Sequence, residues 1–152
     1  MACRSARTAG RLGRGEIEPQ LCWAGGVKTM RNMSFALTTA QVRAGTKTVT
    51  RRMGWMFLRP GDLVRPVVKS QGLKRGEKVE VIQGPLRIIS VRREALVDLL
   101  IDEAYGRREC ALEGFGDHPV LCRPQDFIEF FCRTHACDPG DLVTRIEFEY
   151  TV

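Results

Sequence analysis

From Met33 onward, apolar and polar positions fall into short runs that predict one element after another. Residues 38–44, TTAQVRA, read as a short helix; Thr38 or Thr39 can cap its start and Gly45 supplies a left-handed stop. The β-branched run over 46–52 predicts the start of a strand, followed by an apolar stretch around Trp55 and Phe57. A turn at residues 60–62 leads into a strand over 63–69, in which Pro66 implies an edge or a bulge. After a loop over 70–76, two further strands are expected at 77–83 and 86–91. Leu96, Leu99 and Leu100 share a helical face in 94–101, and a second helix over 102–113 ends at Gly114. A third helix, PQDFIEFFCRTH over 124–135, opens on a proline and sets Phe127, Phe130 and Phe131 on one face. A turn over 138–141 precedes a closing strand, 142–152, with Ile146, Phe148 and Tyr150 alternating. The pentad PGDLV occurs at 60–64 and again at 139–143, one turn-into-strand solution used twice. Together these predict an α+β domain: a small β-barrel of about five strands with three short helices packed at its side.

Length fits this picture, since 152 residues suit one domain. No apolar run approaches the roughly 18 residues of a membrane span, which excludes a transmembrane helix as the organising element. The basic balance, 24 Lys and Arg against 18 Asp and Glu, invites a nucleic-acid reading. Residues 1–29 carry five cations and two anions, so half of the net +6 lies there. The first 15 residues, MACRSARTAGRLGRG, hold no acid and almost no large apolar side chain, and are expected to be a disordered basic extension. A targeting peptide, an arm that touches phosphates, and upstream sequence before a start at Met30 or Met33 are its three readings. The folded domain is assigned to residues 33–152, and residues 30–152 carry a net charge of only +3.

Two of the six cysteines lie in that extension, and the other four form no CxxC pair. No apolar core follows the arginines as a secretory signal requires, so a reducing cytoplasm is the expected setting. Cys122, Cys132, His135 and Cys137 are zinc-ligand types, but the spacing C-x9-C-x2-H-x-C matches no standard zinc pattern. No metal or other cofactor is expected.

The densest polar text is Gly45-Thr-Lys-Thr-Val-Thr-Arg-Arg52. A-G-x-K-T-x-T-R-R is followed in order by R-P-G-D, K-x-Q-G-L-K-x-G-E-K-V and I-I-S-V-R-R-E, then by E-G-F at 113–115 and T-R-I-E-F-E-Y at the end. This order resembles the bacterial and phage branch of the ASCH family, relatives of the PUA-like RNA-binding barrels, from about Met33 to Val152. The resemblance implies a barrel with a cleft beside its helices. One small bacterial member is similar to an amidohydrolase that removes the acetyl group of N4-acetylcytidine. Its catalytic lysine and threonine correspond to Lys47 and Thr50 by motif, and its glutamate to Glu113 by position in the helical segment. Other relatives are implicated in RNA binding or cleavage, and kinship of fold does not choose among these.

The chemistry of these residues is compatible with a site. A threonine hydroxyl needs a neighbouring base, and a desolvated lysine serves. Three residues apart, Lys47 and Thr50 would face opposite sides of a flat strand, so a shared site requires a bend after Gly45. Glu113 faces the negative end of a helix dipole, where structure alone favours a cation, and such a misplaced acid suits proton transfer. The plainer readings are strand-forming threonines and a solvated face for Lys47 and Arg51.

Arg51, Arg52, Lys69, Lys74, Arg75, Lys78, Arg92 and Arg93 would form a phosphate-facing patch if they gathered on one side of the barrel. Glu77, Glu80 and Glu94 among them offer a salt-bridged surface instead. Trp55 can stack on a base or pack in the core. The leading expectation is a domain binding RNA or a modified nucleoside in a basic cleft, with no membrane partner. Hydrolysis in that cleft and a non-catalytic interaction module are the alternatives.

Overall fold

The computed structural model describes residues 29–151. The basic extension expected over residues 1–29 lies almost wholly outside them. The chain forms β1 (Arg31–Ser34), α1 (Thr39–Ala44), β2 (Val49–Arg52), β3 (Leu63–Val67), β4 (Leu86–Ala95), α2 (Glu103–Cys110), α3 (Pro124–His135) and β5 (Leu142–Tyr150). This is an α+β fold with five strands and three α-helices among the described residues.

The strands form one mixed sheet in the order β1-β3-β4-β5-β2. It is not closed into the expected barrel. β1 pairs only with β3, in parallel, and β2 only with β5, antiparallel, so each leaves one side unpaired. A side chain stands where a closing ladder would run, because the Arg52 guanidinium on β2 donates to the Ser34 carbonyl on β1.

Other departures have local causes. β1 is too short and polar to announce itself, yet Met33 is fully buried at its centre. The strand expected at 77–83 reduces to a single bridge between Val67 and Val81. There the Pro66 carbonyl accepts from Ile82 N–H at 2.9 Å, but proline has no N–H to return the bond, and the ladder stops. Pro66 therefore lies within an interior strand, paired with Met33, instead of marking an edge. The helix expected over 94–101 is instead the end of β4, paired with β5 as far as Ala95, then a 3-10 turn over Leu96–Leu100. Leucines at i and i+3 satisfy that turn as readily as an α-helix. α2 passes at Ala111–Phe115 into a wider turn that ends through Gly114, whose φ is 98°. Two predictions hold closely: α1 ends on Gly45 at φ 73°, and α3 begins on Pro124.

Two apolar clusters result. One joins the sheet to α1 through Met33, Phe35, Val42, Ile88, Ile146 and Phe148. The other joins α2 and α3 to the start of β5 through Leu96, Leu99, Phe115, Phe127, Phe131 and Val143. The candidate site lies beside β2, with Phe35 from the first cluster and Phe115, Phe127 and Phe131 from the second in its walls.

Candidate functional site

Lys47, Thr50 and Glu113 line one cleft of about 220 Å³. The chain brings them together in two ways. Gly45 turns the chain, so Lys47 precedes the strand and escapes its alternation. Within β2 the register then divides the side chains. Thr50 and Arg52 pair with Ile146 and Thr144 on one face, whereas Val49 and Arg51 pair with Glu147 and Arg145 on the other. As β2 is an edge strand, residues of both faces reach the cleft.

All three are nearly inaccessible: Lys47 is 2% exposed, Thr50 5% and Glu113 4%. The Lys47 ammonium donates to Glu113 Oε2 at 2.6 Å and to the Glu113 backbone carbonyl at 2.9 Å. Burial lowers the lysine's pKa below its ordinary value; the charge and hydrogen bond of Glu113 oppose that shift, and Arg52 and Arg51 reinforce it. Tyr150 Oη fixes the backbone from the other side, donating to the Lys47 carbonyl at 2.5 Å.

Arg51 is not part of a phosphate-facing patch, because its guanidinium is fully enclosed. It donates to Glu94 Oε1 at 2.6 Å, Glu109 Oε2 at 2.5 Å and Glu113 Oε1 at 3.1 Å. Burial alone would disfavour its charge, yet Glu113, Glu94 and Glu109 outweigh burial and hold its pKa above the ordinary value. Arg145 grips Glu109 by two hydrogen bonds, of 2.7 and 3.1 Å. Beneath the cleft, three cations (Lys47, Arg51, Arg145) thus face three carboxylates (Glu94, Glu109, Glu113). Glu94, Glu109 and Arg145 are absent from the sequence-based site. A usable signal existed for Glu109, which stands four residues before Glu113 on the same helical face.

Arg52 falls outside this balance. It makes no ion pair among the described residues, and its Nε is buried without a hydrogen-bond partner. Its guanidinium lies 5.0 Å from the Phe35 ring centroid and 5.6 Å from that of Trp55. Burial lowers its pKa to about 10, opposed only by the charge of Glu113. Trp55 and Lys69 join Arg52 around a second hollow that opens beside the cleft.

The remaining cations do not gather there. Lys74 and Arg75 are exposed on the 70–76 loop. Arg92 is bonded to Tyr105 Oη at 2.5 Å and lies 3.5 Å from Glu94, and Arg93 donates to Thr144 Oγ1 at 3.0 Å. Of the residues that would form a phosphate-facing patch if they gathered, Arg52 and Lys69 line the second hollow, Arg51 is enclosed, and Arg92 and Arg93 are held by Tyr105, Glu94 and Thr144.

Among the described residues no three His, Cys, Asp or Glu side chains converge as a metal site. His135 stacks on Phe131 with centroids 4.0 Å apart and sits at the rim of the cleft. No described helix is long and apolar enough to cross a membrane.

The fold and site thus define an α+β domain with an open five-stranded sheet and a buried lysine–glutamate pair in a cleft at its unpaired edge. The chain matches no family model and no curated protein. Its fold is similar to the crystal structure of protein EF3133 from Enterococcus faecalis V583, of family DUF984, at TM-score 0.50 and 15% identity over 81% of this chain and 83% of that one. That likeness is one of fold alone.

Proposed function

We propose that the cleft binds a modified nucleoside and hydrolyses an amide on its base, with N4-acetylcytidine as the substrate that the ASCH resemblance implies. The observation that carries this reading is the Lys47–Glu113 pair, buried in a cleft that Thr50 also lines. A lysine whose pKa is lowered by burial is a competent base, and its partner carboxylate stabilises the ammonium formed when it takes a proton. In this scheme the neutral amine form of Lys47, favoured by burial, accepts the Thr50 hydroxyl proton while Oγ1 bonds to the acetyl carbon. The C–N bond then breaks, the proton passes to the leaving amine, and water cleaves the acetyl-threonine ester. Lys47 or backbone amides stabilise the developing oxyanion. The small volume and the neutral ion network favour a small ligand over an extended strand of RNA.

Incubating the full chain with N4-acetylcytidine tests the reading. Cytidine should be released, and Lys47→Ala should abolish that release. No turnover, or turnover that survives the substitution, overturns it.

A further inference from the structure

The second hollow is lined by Arg52, Lys69 and His135, together with Ser34, Trp55 and Ser70 among others, and among the described residues no carboxylate is in its wall. It shares Ser34, Arg52 and His135 with the main cleft, so one ligand can span both. Its charge is poorly compensated. Arg52 has no ion-pair partner among the described residues and keeps one buried N–H unused. Lys69 stands 4.0 Å from Glu77, and both side chains are over 40% exposed, a pair of little strength. His135 Nδ1 lies 3.0 Å from the Phe131 carbonyl, which holds the ring at the rim of the hollow. The Phe35 and Trp55 rings flank the Arg52 guanidinium, and its bond to the Ser34 carbonyl orients it. A half-buried, oriented guanidinium with an ammonium beside it and no acid opposite has the chemistry of a phosphate site.

We propose that this hollow binds a phosphate ester carried by the ligand whose base occupies the main cleft. The inference rests on the reading of that cleft as a nucleoside site, but not on hydrolysis there. A free nucleotide and a residue within an RNA strand offer the same phosphate chemistry, and affinity separates them.

Calorimetric titration of the full chain with cytidine, cytidine 5′-monophosphate and the trinucleotide ApCpA is the test. A phosphate-bearing ligand should bind at least about tenfold more tightly than cytidine, ~1.4 kcal/mol. Lys69→Gln should remove most of that advantage, and its half-exposed position leaves folding intact. A tighter trinucleotide identifies an RNA strand, a tighter monophosphate a free nucleotide, and either supports the site. Equal affinities, no binding of any of the three, or an advantage that survives Lys69→Gln overturns it. If N4-acetylcytidine is not turned over while the Lys69-dependent advantage is found, hydrolysis falls and the phosphate site stands. If turnover is found without that advantage, the reverse holds.

Discussion

Lys47 is tied twice to a single residue, Glu113: once to its carboxylate at 2.6 Å and once to its backbone carbonyl at 2.9 Å. The second bond matters because it joins the lysine to the turn that ends the α2 segment. The ammonium thus ties the chain just before β2 to the helical layer, alongside the Arg51 bonds from β2 to Glu109 and Glu113.

Lys47→Met should therefore destabilise the domain as well as remove the proposed base. Glu113 would keep only the Arg51 bond, and breaking a buried pair costs about 3–5 kcal/mol. Urea unfolding should show a midpoint shift of that order. A loss under about 1 kcal/mol would mean that the pair is not buried as described.

Glu109 makes a prediction on the acid side. Burial raises its pKa, but hydrogen bonds and charge from Arg145 and Arg51 outweigh burial and leave it below the ordinary 4.5. A depressed carboxylate contributes stability that is present above its unfolded pKa and is lost as pH falls through the folded value. Unfolding free energy should thus drop as pH falls below about 4.5, and Glu109→Gln should flatten that limb while lowering stability at neutral pH. Parallel acid limbs for the two proteins would contradict this assignment.

Gly114 links backbone geometry to the site. At φ 98° it occupies a conformation that side chains resist, and an added Cβ would lie 2.8 Å from Gln41 Cγ and 3.4 Å from Lys47 Cβ. Gly114→Ala should cost more than about 1 kcal/mol and displace Lys47 from Glu113. Stability and any amidase activity should fall together. Retention of both would show that the turn can relax without moving the lysine.

What the sequence disclosed follows from how local each cause is. α3 was legible because proline, phenylalanine spacing and helix length agree within twelve residues. β1 was not, because its four residues find their strand partner some thirty positions on, in parallel pairing with β3. The absent strand at 77–83 has suitable residues but meets a proline on its partner, a fact of register and not of the segment itself. That Lys47, Thr50 and Glu113 line one cleft agrees with the motif that singled out the first two and with the place in the helical segment that singled out the third. Arg51 was misplaced on the surface because nothing in its neighbours reveals three carboxylates arriving from β4 and the α2 segment. Glu94 and Arg145 were missed for the same reason: their role exists only once β4, β5 and α2 meet.

Tyr150 makes a prediction at the alkaline end, where Lys47 acts in the opposite direction. Burial raises the Tyr150 pKa to about 12 from 10.0. An acid raised in the folded state contributes stability that is intact below its unfolded value and is lost as pH climbs from 10 toward 12. Lys47, a base lowered by burial, costs stability while protonated, and that cost is relieved as pH rises toward 10.5. The two trends oppose each other in the wild-type protein, and Tyr150→Phe removes only the falling one. The variant should lose about 1 kcal/mol at neutral pH with the bond to the Lys47 carbonyl. Its stability should then decline less steeply than wild type between pH 10 and 12. Urea midpoints measured across that range decide the matter: an unchanged alkaline slope would show that Tyr150 is not the group whose ionisation the fold suppresses.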